Sequence, residues 1–222
     1  MDRPLNDDST INIEMIADLA CPWCYLGLER LKKACELRPA LSVEIRWWPY
    51  LLNPQLPKEG MDRRTYLRAK FGGDGNADEV YARIKAAGRE DGLPFAFDMI
   101  QRTPNTVFAQ RLVLLAQEQG KSEAMIETLF KAMFEQGIDI GTVDALEDLG
   151  DEAGLARDEI KELFSSDRFA ADIVRGHQRA HMMGVQGVPV YVVNREHVIA
   201  GAQAPEVLAG LLDVASAEAV AS

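Results

Sequence analysis

The chain has 222 residues, 47% of them hydrophobic and 27% charged, enough for a sizeable core and ordinary for a globular protein. Its formal net charge of −11, with no run of Lys or Arg to offset it, argues against a nucleic-acid or anionic-membrane surface. No stretch approaches the roughly 18 continuous apolar residues of a membrane span, and the polar opening MDRPLNDDSTIN carries no apolar leader.

In chain order, INIEMIADL places Ile11, Ile13, Met15, Ala17 and Leu19 on one face, the period of a strand. That pattern ends at Ala20-Cys21. From Pro22 a helical stripe takes over through Cys24, Leu28, Leu31 and Cys35. Proline suits the first turn, where its missing N–H would be unpaired anyway, and Pro39 ends the helix. LSVEIRW alternates again, with Leu41, Val43, Ile45 and Trp47 on one face. The opening is therefore a β-α-β unit, expected to be right-handed with parallel strands.

From about Asp62 to Met183 the pattern is helical, with no convincing strand. One helix carries Phe108, Leu112 and Leu115 on one face and stops at Gly120. The next takes Ser122 as its N-cap and Gly137 as its stop. Others are expected near 77–90, 142–153, 158–165 and 167–183. Strands return in VPVYVVN and HVIAGA, joined by a tight turn at Asn194 to Glu196. PEVLAGLLDVA closes as a helix, and the tail SAEAVAS is expected to fray. The fold class is α/β: β-α-β, a long all-helical insertion, then β-β-α. Residues 10–55 and 184–215 form one discontinuous unit and 56–183 the insertion.

The chemistry concentrates in Cys21-Pro22-Trp23-Cys24. Three cysteines are too few for a disulfide framework in a chain this long. In the reducing cytoplasm that this suggests, a close pair is catalytic or metal-binding rather than structural. At a helix start, unpaired N–H groups and the helix dipole favour an anion at Cys21, and the thiolate is the form that attacks disulfides. Cys24, one turn inside, is the resolving thiol. Zinc would need two more ligands at suitable spacing. Cys35 falls on the apolar stripe and reads as core. His177 and His181 have the i, i+4 spacing of a metal pair but lack the glutamate of H-E-x-x-H. No metal is expected.

Two other motifs fail. DGNADEVYARIK, from Asp74, has Glu79 and Lys85 where a calcium loop needs Gly and Glu. GGDGN lacks the strand and glycine spacing of a phosphate loop. Both read as surface turns. More informative is GVQGVPVYVV, in which Pro189 directly precedes a strand, where proline fits only at the first residue. From the residues alone, trans is the majority state of the Val188–Pro189 bond.

C-P-x-C after a strand, with G-V-P before a late strand pair, resembles the thioredoxin-like fold with a helical insertion, the DsbA-like class. DLACPWCYLG, WWPYLLNP, PNT before a helix, and GVQGVPVYVVNREHVIAGAQAPEVL are similar to its cytoplasmic FrnE-like branch. The resemblance implies a thiol-disulfide oxidoreductase acting on protein thiols and disulfides or on glutathione. It implies no cofactor beyond glutathione as co-substrate, and is compatible with a homodimer. Cys21 would be the exposed nucleophile and Cys24 its buried partner. Pro189 would be cis against the pair, with the Val188 backbone pairing with a bound peptide or glutathione. Pro22 and Trp23 would cover the pair and tune its potential. Asn105 would reach the site from the insertion, with helix capping as its other reading. Kappa-class glutathione transferases and 2-hydroxychromene-2-carboxylate isomerases resemble the chain in fold but characteristically carry serine in place of Cys21. A glutathione-dependent isomerase or transferase is therefore the alternative function, and a non-catalytic holdase a third.

Overall fold

The structure is a computed structural model and describes residues 10–72 and 74–221. The start of the polar opening, residues 1–9, lies outside it. Strand β1 (Ile11–Ala17) buries alternate residues, Ile11, Ile13 and Met15, as its period-2 pattern requires. It pairs in parallel with β2 (Val43–Pro49), Met15 facing Trp47, across helix α1 (Pro22–Glu36). At the other end of the chain, β5 (Val190–Val193) runs antiparallel to β1, and β6 (His197–Ala200) antiparallel to β5. The sheet order is β2-β1-β5-β6. Asn194 and Arg195 turn the last hairpin with φ of 49° and 64°, the left-handed pair that a two-residue turn requires.

One face of the sheet packs on α1 and on α9 (Pro205–Ala221). The other buries Ile16, Trp48, Val190 and Val192 against Ala180 of α8 (Ala170–Met182). Between β2 and α8 lie α2 (Arg63–Phe71), α3 (Asp74–Asp91), α4 (Val107–Glu118), α5 (Ser122–Phe134), α6 (Val143–Glu152) and α7 (Arg157–Ser165). A fully buried glutamine fastens this helical part to the sheet. Gln110 Oε1 accepts from Trp47 Nε1 at 2.5 Å, and its amide donates to Tyr50 O at 3.1 Å and Ala17 O at 3.3 Å. A buried amide with all these partners costs little, whereas one left without them would cost about 1–3 kcal/mol.

Several expectations are corrected. The helical stretch contains a two-residue ladder, β3 (Met61–Asp62) with β4 (Arg102–Thr103). Helix α2 was not anticipated, because its buried face is built from Arg63 and Tyr66, which an apolar period does not register. The DGN segment is the start of α3 rather than a surface turn. Ser122 is the first helical residue; Lys121 precedes it as cap, its N–H already bound to Ala116 O at 2.8 Å in the stop of α4. Cys35 is half-buried at the rim of the core. The tail expected to fray is helical to Ala221.

Candidate functional site

The site forms where β1 ends. Asp18 is 1% exposed, and its carboxylate takes the N–H of Ala20 at 3.0 Å, the N–H of Leu52 at 2.6 Å and a hydrogen bond from Thr106. It thereby ties together the turn before Cys21, the loop after β2 and the start of α4. Burial raises its pKa, and these hydrogen bonds only partly offset the effect.

Asp18 O accepts from Cys21 N at 3.0 Å, which sets Cys21 as the cap of α1 with φ −100° and ψ 111°. Pro22 is the first helical residue, as its position in the motif predicts. Cys21 O takes the N–H groups of Cys24 at 2.9 Å and Tyr25 at 3.3 Å. Both thiols are free. Cys24 has no exposed surface; burial pushes its thiol well up, and a hydrogen bond to the Cys21 sulfur and that residue's charge push it further.

The second half of the chain closes over the first cysteine. Cys21 Sγ lies 3.5 Å from Val188 O, and the Val188–Pro189 bond is cis. Cys21 is consequently only 4% exposed, against the expectation of an exposed nucleophile. The loop bearing Val188 comes from far along the sequence, so no local pattern could reveal that cover. Beside it an open cleft of about 450 Å³ is lined by Val185, Val188, Pro189, Val198 and Ala200. Pro22 is buried, and Trp23 is half-buried against the core beside the pair. Asn105 does not hydrogen-bond the pair. Its side chain accepts from Val107 N at 3.0 Å and donates to Leu56 O at 2.9 Å, so it caps the start of α4 and holds a loop there.

Sequence reasoning missed three further features. Gly27, inside α1, lies so close to β5 that an added Cβ would fall within the van der Waals shell of the Tyr191 hydroxyl and 2.9 Å from Pro189 Cγ. A glycine inside a helical stripe was the signal. Asp18 stood out only as a charge ending an apolar strand. From α2, Lys70 Nζ donates to Tyr66 OH at 2.6 Å, and that hydroxyl to Asn53 Oδ1 at 2.9 Å. Lys70 is near enough for the charges of Cys21 and Asp18 to act on it. The histidines predicted as a helical pair stack edge-on at 4.5 Å, and His177 Nδ1 accepts from Leu51 N at 3.2 Å. Among the described residues, Glu196, His197 and Glu218 are spaced as metal ligands would be, at the end of β5 remote from Pro189. No helix of the described residues is long and apolar enough to cross a membrane.

The chain matches the model of the DSBA-like thioredoxin domain over residues 12–213, and it belongs to that family. A probable DsbA oxidoreductase from Streptomyces coelicolor is similar over 94% of this chain and 91% of its own, with 28% identity and a TM-score of 0.80. The cytosolic disulfide reductase DsbM of Pseudomonas aeruginosa, solved with GSH, shares the fold at 20% identity and a TM-score of 0.63, over 91% of this chain and 98% of its own. A 2-hydroxychromene-2-carboxylate isomerase shares it at 16% identity and a TM-score of 0.68, over 95% and 99%.

Proposed function

We propose that this member of the DSBA-like thioredoxin-domain family is a thiol-disulfide oxidoreductase of the FrnE-like branch. It would work in a reducing cytoplasm on protein thiols and disulfides or on a small thiol such as glutathione. The observation that carries the reading is the pairing of Cys21 at the cap of α1, its sulfur 3.5 Å from Val188 O, with a Cys24 thiol held protonated by burial behind it.

The Cys21 thiolate attacks one sulfur of a substrate disulfide. The substrate S–S bond breaks, one substrate thiolate leaves with the electron pair, and a mixed disulfide forms on Cys21. Cys24 then gives up its proton to solvent and attacks the Cys21 sulfur. That step releases the second substrate thiolate and closes the Cys21–Cys24 disulfide. The substrate gains two electrons and the pair loses two; run backward, the same steps oxidise a client dithiol. Keeping Cys24 protonated until the mixed disulfide exists leaves Cys21 as the first attacker. The open cleft shares Val188, whose carbonyl meets the Cys21 sulfur, and offers a client chain an apolar surface next to that residue.

Dithiol chemistry also favours this reading over the isomerase alternative, because the pair supplies its own resolving step. The test is a pair of variants. Cys21→Ser should lose exchange with a model disulfide altogether, and Cys24→Ser should accumulate mixed disulfides visible by mass. Full activity in Cys21→Ser would refute the mechanism. Glutathione-dependent turnover of a small molecule that survives Cys24→Ser would favour the isomerase or transferase instead.

A further inference from the structure

Tyr191, on β5, is fully buried, yet its hydroxyl has no hydrogen-bond partner among the described residues. Burying a hydroxyl that way is unfavourable, and a group kept at that cost calls for a reason, a redox or catalytic role among them. The ring reaches across from β5 to α1 at Gly27, where the missing Cβ leaves room for the oxygen. Gly27 and Cys24 are three residues apart on α1 and therefore share a face one turn apart. Besides burial, the groups whose charges act on the Tyr191 hydroxyl are Cys24, Arg30 and Cys21. Burial and the two sulfurs hold it in its protonated, donating form, with Arg30 opposing them.

We propose that the Tyr191 hydroxyl is a positioning donor for Cys24: it is vacant in the resting dithiol and hydrogen-bonds the Cys24 sulfur as that sulfur becomes an anion. The inference rests on the exchange mechanism above and assigns a residue to its resolving half. In the resolving step Cys24 loses its proton to solvent and attacks Cys21, releasing the second substrate thiolate. Tyr191 keeps its own proton throughout and only donates a hydrogen bond. In the reverse direction it stabilises the Cys24 thiolate that leaves when a substrate thiol attacks Cys21. A thiol that burial keeps protonated needs such a donor, because burial opposes the charge that the step requires.

The test uses the full-length reduced protein and 5,5′-dithiobis(2-nitrobenzoate). Attack by Cys21 releases one equivalent of coloured thiolate, and resolution by Cys24 releases a second from the same molecule. Stopped flow separates the two releases. Tyr191→Phe, which removes only the oxygen, should leave the first unchanged and slow the second on the order of tenfold, the scale of one hydrogen bond to a charged sulfur. Its Tm should stay level or rise, since the lost hydroxyl has no partner among the described residues. Equal second releases in the two proteins would overturn the inference. So would both releases slowing together with a lower Tm, which would make the hydroxyl a structural group. Absence of a second release from the unaltered protein would instead remove the exchange mechanism itself, a result that does not depend on Tyr191.

Discussion

The two ends of helix α1 each meet a mostly buried aspartate, and they treat it in opposite ways. At the redox end, Asp18 is surrounded by N–H groups and a hydroxyl, and burial raises its pKa. At the far end, Asp91 receives Arg30 Nε at 2.7 Å and Lys33 Nζ at 2.8 Å. Its partial burial alone would raise it, but hydrogen bonds from Lys33 and Arg30 outweigh that and hold the carboxyl below its ordinary value. The contrast separates two uses of a carboxylate. Asp91 joins α3 to α1 by charge pairing, as a surface-facing brace does. Asp18 organises backbone around a reactive sulfur through hydrogen bonds from Ala20 and Leu52, with the charge of Lys70 acting on it from α2. Near Cys21, charge is rationed; away from it, charge is spent on adhesion.

The comparison breaks most severely at Gly27, which lets α1 approach β5 at the redox end. Gly27→Val should force the helix off Pro189 and Tyr191, costing about 3 kcal/mol by overpacking and most of the exchange activity. Urea unfolding and a disulfide-exchange assay would measure both. A variant of unchanged stability would mean that the close approach is not obligatory.

Asp18→Asn comes next. An amide offers one acceptor where the carboxylate offers two, so either Ala20 or Leu52 loses its partner, at about 1–3 kcal/mol. The pH dependence carries a sign. A carboxyl whose folded pKa is raised binds its proton more tightly folded than unfolded, so it costs stability as pH rises past the ordinary value of about 3.9. The Asn variant should lack that downward slope, and unfolding titrations from pH 3 to pH 7 would reveal it. Parallel pH profiles would show that Asp18 is not strained by its burial.

How much of this was legible follows from what each residue depends on. Ile11, Ile13 and Met15 declared β1 because a strand's burial is written in its own alternation. Pro22 and the cysteine spacing declared the start of α1 because capping is local. The burial of Cys21 was hidden because its cover, Val188, belongs to another part of the chain. Helix α2 was hidden because Arg63, 8% exposed, buries its guanidinium against Thr103 at 3.1 Å and Tyr81 at 2.7 Å, a polar core that no hydrophobic count detects. Local chemistry was readable, and contacts between distant segments were readable only through the family resemblance. Gly27 and Asp18 sit between these cases: each is a local oddity whose reason lies across the sheet.

The smallest effect belongs to the brace. Asp91→Asn removes a charge from a partly solvated cluster with Arg30 and Lys33, so its cost at neutral pH should be about 0.5–1 kcal/mol. Here the sign is opposite to that of Asp18. A depressed folded pKa means that the unfolded chain binds the proton more tightly, so the stabilisation is present above the ordinary carboxylate value and is lost as pH falls through the folded one. Unfolding free energies of the parent and Asp91→Asn should therefore differ at pH 7 and converge at low pH. Those of the parent and Asp18→Asn should differ in slope over the range above about pH 4. Raising salt to about 1 M should shrink part of the Asp91 gap, because the Lys33 side chain, 37% exposed, is open to screening, and leave the Asp18 gap nearly intact, because it rests on buried hydrogen bonds. If both gaps shrink alike with salt, the two ends of α1 are held by the same force, and the distinction drawn between them fails.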